Sequence, residues 1–557
     1  MKRTISILVI VAMMLASVLA IVPAYAETPA GTAITTADEF AKMEAKGTYY
    51  LANDITLTAT YADVIFEGTL DGNGKTITLD GVTSAFKEIK GATISNLNLV
   101  VTYEFAQALA AGALANYASG TFTNITATAN YSITDTNVIA SKAVGAIFTE
   151  INGTSTLTNC VANGAITIAN NSNYDTQGNA RYAGIAGLVG KCYAAGAVKF
   201  VDCVNNVTVR NTQHTSPTAG FVGAVDFDDS IGGVQLTFEN CVNNGDITGT
   251  SGNHCGIAGF VGLLGPHSAT TTTIKNCRNN GNLTELAPNG GESKDGYLGG
   301  FVGRNYGSPK VTAENCINAG DIAALKGGWS GAGGFVGNGM THGFSWTTSD
   351  PGIYTFTNCI NLGDITGTSS FAGGIGGAFK QHSVNGCTVQ MENCANFGDI
   401  EAIEYAGGML GQIGDYGCDI VILKNCYNAG NITAPNGAAG MAGYIQHGAG
   451  SATKADGYNI TNRSPMVIDN CANVGTITCT LAETDRTANK YVAAGILARF
   501  GDESNGAVVD QTVAAEEQLQ HTDHNHQRNE VGCGKNGLQH LGGALALQCI
   551  QHQCHDN

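Results

Sequence analysis

The segment Phe238–Gly262 reads FENCVNNGDITGTSGNHCGIAGFVG, and its parts recur along the chain. An Asn-Cys dipeptide marks each copy, at intervals of 32 to 45 residues: Asn159-Cys160, Asn240-Cys241, Asn276-Cys277, Asn315-Cys316, Asn358-Cys359, Asn393-Cys394, Asn425-Cys426 and Asn470-Cys471, with Asp202-Cys203 in the remaining place. An apolar residue stands three positions before nearly every cysteine. Asn follows two positions after it and Gly four after it in eight of nine copies, and an aliphatic residue always follows at six. A constant local pattern at variable spacing indicates fixed strands joined by loops of different length.

A glycine-rich block follows each copy after a variable loop, as in Gly184–Gly190, Gly256–Gly262 and Gly333–Gly337. We predict three short strands per repeat: one ending at Asn-Cys, one such as Gly245–Thr248, and the glycine-rich strand. Repeated strands without helices predict a parallel β-solenoid, and the two tryptophans of the whole chain argue against a propeller, whose blades repeat at similar length.

The residue after the cysteine varies and includes Arg278, so we expect that side chain to face water. By alternation along a strand, the cysteine and the second Asn then face inward, where the Asn amides stack into ladders. The glycine four positions after the cysteine is predicted to supply a left-handed corner.

Less regular strands precede the repeats, at Phe66–Leu79, Ala92–Val101 and Thr121–Thr134. Before them, Thr35–Gly47 predicts a short amphipathic helix with Thr36 as N-cap and Gly47 as its stop, which would cover the open end of the solenoid. About twelve coils would make a rod of roughly 58 Å.

The composition narrows the class of protein. The chain has 557 residues with 75 glycines and a formal net charge of −18. The glycines have no three-residue period, which excludes collagen, and the acidic balance disfavours nucleic acid as a partner.

The N-terminus has the pattern of a secretory signal peptide. Lys2 and Arg3 precede the apolar stretch Ile5–Ile21, and Ala24-Tyr25-Ala26 predicts cleavage after Ala26. An uncleaved membrane anchor is the alternative. No second run of about 18 apolar residues follows, so we expect a secreted or cell-surface protein without a transmembrane segment in the mature chain.

Two family resemblances are present. Tyr49–Leu57 and Gly68–Ile77 resemble the opening coils of bacterial pectate-lyase-like right-handed β-helices, and blocks of the type Gly187-Leu-Val-Gly190 resemble the GLUG-motif repeats of bacterial exported surface proteins. The resemblance covers residues 34 to 505. It implies an all-β, right-handed parallel β-helix at the cell envelope, but little about chemistry. The expected divisions are a signal peptide at 1–26, a cap with a short helix at 27–48, the β-helix at 49–505 and a Gln/His-rich tail at 506–557.

The 17 cysteines are odd in number, and nine of them belong to the repeat. Parallel side chains in a stack point alongside one another rather than toward each other, which favours buried free thiols over disulfides. The absence of C-x-x-C pairs argues against zinc. The tail at 506–557 is interpreted as disordered or as a reading-frame artefact, with a His/Cys metal-binding segment as the third alternative.

No residue is assigned to catalysis, to a cofactor or to a metal. Asp226, Asp228 and Asp229 lie in one loop, and the His342-Gly343 and His447-Gly448 pairs lack the accompanying elements of pectin hydrolases. Four aspartates recur at one repeat position and should stack, either to cap a turn or to bind a cation: Asp246, Asp321, Asp364 and Asp399.

The sequence therefore predicts an exported adhesion or ligand-binding scaffold whose partner is an extracellular polysaccharide or a host or cell-surface ligand. Aromatic residues in or near loops would stack on sugars or pack the loops themselves: Trp329, Trp346, Tyr297 and Tyr306. The alternatives are a β-helix polysaccharide lyase or hydrolase, and a structural stalk.

Overall fold

A computed structural model describes most of the chain between residues 29 and 500. The described ranges are 29–61, 64–105, 110–134, 143–169, 184–193, 196–212, 216–225, 233–250, 256–265, 270–286, 296–306, 310–325, 330–340, 352–379, 387–414, 420–445, 466–480 and 492–500. The predicted signal peptide and the tail lie outside them. No helix in these ranges has the length and apolar character that a membrane crossing requires.

Each repeat first contributes strands to a 42-stranded sheet, in which strands from successive repeats pair in parallel. The strands that precede Asn-Cys are Phe148–Thr158, Gly196–Val201, Val234–Glu239, Thr271–Lys275, Lys310–Glu314, Gly352–Thr357, Cys387–Glu392, Ile420–Lys424 and Met466–Asp469. Those directly after the cysteine are Val161–Ile168, Val204–Asn205, Val242–Asn243, Arg278–Asn279, Ile317–Asn318, Ile360–Asn361, Ala395–Asn396, Tyr427–Asn428 and Ala472–Asn473. The next are Thr208–Asn211, Ile247–Gly249, Leu283–Glu285, Ile322–Ala324, Ile365–Gly367, Ile400–Glu401, Ile432–Ala434 and Ile477–Cys479. This register repeats coil by coil and makes the fold a right-handed parallel β-helix.

The glycine-rich block forms two strands where the sequence predicted one. The first strands make a separate ten-stranded parallel sheet: Val144–Gly145, Ile185–Ala186, Thr218–Ala219, Gly256–Ala258, Tyr297–Gly299, Gly331–Gly333, Phe371–Gly373, Tyr405–Gly407, Gly437–Ala439 and Val492–Ala494. After a bend the second strands rejoin the large sheet: Val189–Cys192, Val222–Val225, Val261–Leu264, Val302–Tyr306, Val336–Met340, Gly376–Phe379, Leu410–Ile413, Ala442–Ile445 and Leu497–Phe500.

The two strands of one block lie so close that side chains would not fit between them. A Cβ added to Gly256 would lie 2.4 Å from the carbonyl oxygen of Gly262 and 2.5 Å from the backbone nitrogen of Arg304. Both distances are far below van der Waals contact, so the glycines serve the contact between layers.

The first coils use longer strands, and the chain begins with a short helix. The strands are Thr32–Ile34, Thr48–Leu51, Ile55–Leu57, Thr69–Asp71, Thr76–Leu79, Phe86–Phe105 and Ala115–Ile133. The helix, α1, spans only Ala37–Phe40, and the hydroxyl of its N-cap Thr36 accepts the N–H of Glu39 at 3.2 Å, as predicted. The ring of Phe40 is buried.

The predicted extension of α1 to Gly47 was wrong, because tyrosine hydroxyls bond the backbone groups that would continue the helix. Tyr61 donates to the carbonyl of Met43 at 2.5 Å, and Tyr49 accepts the N–H of Glu44 at 2.7 Å.

In every repeat the left-handed residue of the corner is the Asn, or Asp202, directly before the cysteine. Its φ lies between 50° and 55° at Asn159, Asp202, Asn240, Asn276, Asn315, Asn358, Asn393, Asn425 and Asn470, and the upstream Asn73, Asn96 and Asn124 have φ in the same range. Asn and Asp tolerate this region better than other side chains. Their amides also stack on the surface, with Asn358 Nδ2 donating to Asn315 Oδ1 at 2.9 Å.

The prediction that the later glycine is left-handed was therefore wrong, apart from Gly164 at φ +110°. The glycine is needed because the preceding coil approaches it closely. A Cβ on Gly363 would lie 2.0 Å from the carbonyl oxygen of Gly320.

The inward Asn ladder is confirmed. Asn318 Nδ2 donates to Asn361 Oδ1 at 2.8 Å, and Asn361 Nδ2 donates to Asn396 Oδ1 at 2.7 Å. These amides are fully buried and fully bonded, which is the condition under which buried polar groups specify a fold.

The second residue of the bend adds a phenylalanine stack to the core. Ring centroids are 4.7 Å apart from Phe221 to Phe260, from Phe260 to Phe301 and from Phe301 to Phe335. This spacing equals that of hydrogen-bonded β-strands, so the rings follow the coils one by one.

Candidate ligand-binding surface

The recurring aspartates stack as predicted, but their carboxylates join successive coils, each accepting a backbone N–H from the next coil, instead of showing the turn cap that was one of the two alternatives. The Oδ1 of Asp321 accepts the backbone N–H of Asp364 at 2.9 Å, and the Oδ1 of Asp364 accepts that of Asp399 at 2.8 Å. Asn282 and Asn431 fill the same position and bond in the same way. Within the described ranges, no group of three or more His, Cys, Asp or Glu side chains is placed to hold a metal ion.

The repeat cysteines form an internal column of thiols. All nine repeat cysteines are free thiols and are buried. Their sulfurs face backbone carbonyl oxygens, as Cys316 Sγ does at 3.2 Å from Glu314 O. Burial raises the pKa of Cys277 and Cys359, with further contributions from neighbouring thiols, which keeps these sulfurs protonated and unreactive.

We expect native labelling with iodoacetamide at neutral pH to leave Cys277 and Cys359 unmodified, whereas half-buried Cys479 reacts. Peptide mass spectrometry after brief labelling measures this, and the same labelling in denaturant should modify all three. Disulfide-linked peptides joining successive repeat cysteines would contradict the thiol column.

A different set of side chains lies on one outward face of the first coils of the β-helix. Glu88 pairs with Tyr117, Tyr117 with Glu150, and Glu150 with Lys191, each in parallel register. In-register parallel pairing places these side chains on one face at steps of about 4.8 Å. We call these four residues the Glu88–Lys191 column.

The column is accessible at its centre and closed at its C-terminal end. Tyr117 is 42% exposed, and Glu88, Glu150 and Lys191 are half-buried. The next residue in register is Ala224, which is only 1% exposed. The column is therefore the accessible end of a row that is covered farther along the rod.

Hydrogen bonds across three coils hold the backbone behind this column. The Oδ1 of Asn116 accepts the hydroxyl of Ser84 at 2.8 Å and that of Thr149 at 3.2 Å. Asn116 and Thr149 directly precede Tyr117 and Glu150, so the bonds fix the relative positions of these two site residues.

The electrostatics of the column single out Glu150. Burial raises the pKa of its carboxyl, and the positive charge of Lys191 partly opposes the shift. Lys191 Nζ also lies 4.0 Å from the ring centroid of Tyr193, a cation–π contact. A carboxyl whose pKa is raised, beside a lysine and two tyrosines, keeps its proton to higher pH than a solvated carboxyl and can donate or accept hydrogen bonds.

Sequence reasoning missed this column. Aligning the upstream coils on the glycine-rich block would have placed Glu88, Tyr117, Glu150 and Lys191 at one position, but those coils have shorter blocks and irregular loops.

Most residues that the sequence singled out do not lie on an accessible described surface. Tyr297 is 2% exposed, and its ring packs against the Arg304 guanidinium at 4.6 Å, so it packs the interior and does not bind sugars. Seven of these residues lie outside the described part of the chain: Asp226, Asp228, Asp229, His342, His447, Trp329 and Trp346. For Tyr306 only the backbone is described.

Comparisons with known proteins add little. No protein-family model matches the chain. No curated protein matches it either. One similar solved chain comes from Bacteroides ovatus and is described as a "putative immunoglobulin A1 protease"; it is 14% identical, covers 80% of this chain and 87% of its own length, and has a TM-score of 0.21. The fold therefore rests on the strand pairing of this chain, and the resemblance to GLUG-motif proteins stays a prediction.

Proposed function

We propose that this protein is an exported surface scaffold that binds glycans, and that the Glu88–Lys191 column is one of its sugar contacts. The observation that carries the proposal is the exposed ring of Tyr117 between two carboxylates on one rigid face. Sugars present C–H faces that pack on aromatic rings, and hydroxyls that donate to carboxylates. Export is supported by the N-terminal pattern that ends at Ala26, and N-terminal sequencing of the protein from culture medium or cell surface tests it.

We expect Tyr117→Ala to weaken glycan binding about tenfold or more, because the variant loses the stacking surface while little buried area is lost. A glycan array followed by calorimetry on the best ligand measures the effect. The matched control is Tyr50→Ala, which removes a half-buried outward tyrosine from another coil. Equal affinity of wild type and Tyr117→Ala for every bound glycan would refute this site.

Cleavage of a polysaccharide is the second candidate, and the raised pKa of Glu150 is the observation that favours it. Glu150 could act as general acid with Glu88 as base, since the two lie two strand steps of about 4.8 Å apart, close to the upper end of the carboxyl separations of inverting hydrolases. Reducing ends and unsaturated sugars are measured after incubation with plant, mucin and microbial polysaccharides. Product that is lost in Glu150→Gln supports cleavage, whereas binding without product leaves the scaffold.

A further inference from the structure

A second surface lies toward the other end of the rod, at the position three residues after each cysteine. In the first repeats this position holds hydrogen-bonded asparagines, Asn163, Asn206, Asn244 and Asn280, of which all but half-buried Asn163 are exposed. In the later repeats it holds only apolar residues: Ala319, Leu362, Phe397, Ala429 and Val474. Successive residues at this position occupy equivalent places in successive coils. The backbone N–H of each donates to the backbone carbonyl of the residue two positions after the cysteine in the preceding coil, as Leu362 does to Asn318 and Asn206 does to Ala162. We call the apolar half the apolar strip.

The apolar strip is partly exposed. Leu362 is 45% exposed and Val474 is 52% exposed, whereas Ala319, Phe397 and Ala429 are half-buried. Phe397 packs on the ring of Tyr427 at a centroid distance of 6.0 Å, and the two form a small surface cluster with Ala429. A row of apolar side chains held at strand spacing on a folded surface marks an interaction site more often than an isolated exposed residue does.

Acidic groups run beside the strip. Asp321, Asp364 and Asp399 are exposed and lie two residues farther along the same coils as Ala319, Leu362 and Phe397. The column before Asn-Cys is of mixed charge: it contains Glu314, which pairs with Lys275 at 3.1 Å, then Thr357, Glu392, Lys424 and Asp469. The negative charge beside the apolar strip is therefore that of the aspartate row.

We propose that the apolar strip binds a cationic amphipathic helix of a protein partner. The five residues of the strip are separated by four inter-coil steps and span about 19 Å, the length of a helix of about 13 residues. A partner helix lying along the rod would present one apolar side chain per turn of about 5.4 Å, close to the spacing of about 4.7 Å between successive strip residues. Lys or Arg side chains on the flank of that helix would reach the aspartate row. The negative charge of the aspartate row favours this occupant over an acidic peptide.

The chain itself supplies variants that should fold. Leu362→Asn with Phe397→Asn gives the strip the residue that Asn244 and Asn280 already have at this position. Asp364→Asn with Asp399→Asn copies Asn282 and Asn431, whose Oδ1 atoms accept the same backbone bond. The equal-charge control is Asp80→Asn with Glu104→Gln, two exposed acids on other coils.

The test uses fluorescence anisotropy of the full chain with a labelled 14-residue Leu/Lys peptide of helical period and with a matched Leu/Glu peptide. We expect the Leu/Lys peptide alone to bind, about tenfold more weakly to the double Asn variant of the strip and several-fold more weakly to the aspartate variant than to the control. Circular dichroism of each variant verifies the fold. The proposal is overturned if the Leu/Lys peptide does not bind, if both peptides bind equally, or if the control variant loses as much affinity as the strip variants.

Discussion

Replacing Gly363 with alanine should lower the free energy of unfolding of the β-helix by about 3 kcal/mol or more, the upper end of overpacking effects. The added Cβ would lie 2.0 Å from the carbonyl oxygen and 2.6 Å from the carbonyl carbon of Gly320. Both are backbone atoms of the preceding coil, so the contact is relieved only if two coils move apart. Such movement stretches the inter-coil hydrogen bonds and the inner Asn ladder.

Urea unfolding followed by circular dichroism measures the change for Gly363→Ala. Gly495→Ala is the matched control, since among the described residues no atom lies within 4 Å of its added Cβ and its φ is not in the left-handed range. The control should leave the midpoint unchanged or raise it slightly, because alanine restricts the unfolded chain. A midpoint for Gly363→Ala that matches the control would mean that the coils can separate at no cost.

The repeat was predictable from the sequence because each inward position makes the same demand in every coil. Cys316 and Asn318 face the interior and meet copies of themselves in the coils above and below, so the same residue type serves at each level. The period, the parallel stack and the inward Asn ladder follow from that demand.

The glycines were harder to interpret because two different physical requirements are both met by glycine. A left-handed φ favours glycine, but so does close approach of another backbone. At the corner the left-handed residue is Asn358, which the sequence analysis treated only as part of the Asn-Cys repeat. Gly363 is required because the backbone of the preceding coil approaches it closely. The split of the glycine-rich block into two layers was missed for a related reason, since glycines carry no alternation that would show a bend.

The candidate site was missed because it is not periodic. Glu88, Tyr117, Glu150 and Lys191 differ from one another in type, and only the register of the pairing brings them together. In this fold the repeated residues build the β-helix, and the two candidate binding surfaces lie where the residue type at an equivalent position changes from coil to coil. The apolar strip, which replaces a row of asparagines, is a second such place.

The inner Asn ladder and the two exposed Asn rows run with opposite polarity. In the inner ladder each Nδ2 donates to the next coil, as Asn318 does to Asn361. In the exposed rows it donates to the preceding coil, as Asn358 does to Asn315 and Asn244 does to Asn206. The inner row carries the greater share of stability, because its bonds are buried.

Asn361→Leu should therefore destabilise the fold by about 3 to 5 kcal/mol, as expected for breaking a buried polar network. The substitution removes the donor to Asn396 Oδ1 and the acceptor of Asn318 Nδ2, and it places a branched side chain where Gly334 leaves no space. Both neighbours then hold buried amide groups that have lost a partner.

The control for Asn361→Leu is Asn244→Ala in the exposed row, where Asn244 bonds Asn206 and Asn280 at 2.9 Å in contact with water. Water replaces the lost bonds there, so the change should stay within about 0.5 kcal/mol. Urea midpoints of the two variants decide the matter. If they shift equally, burial does not distinguish the ladders, and the coils are held by backbone pairing and apolar packing alone. A large shift confined to Asn361→Leu would show that the inner amides tie each coil to the next.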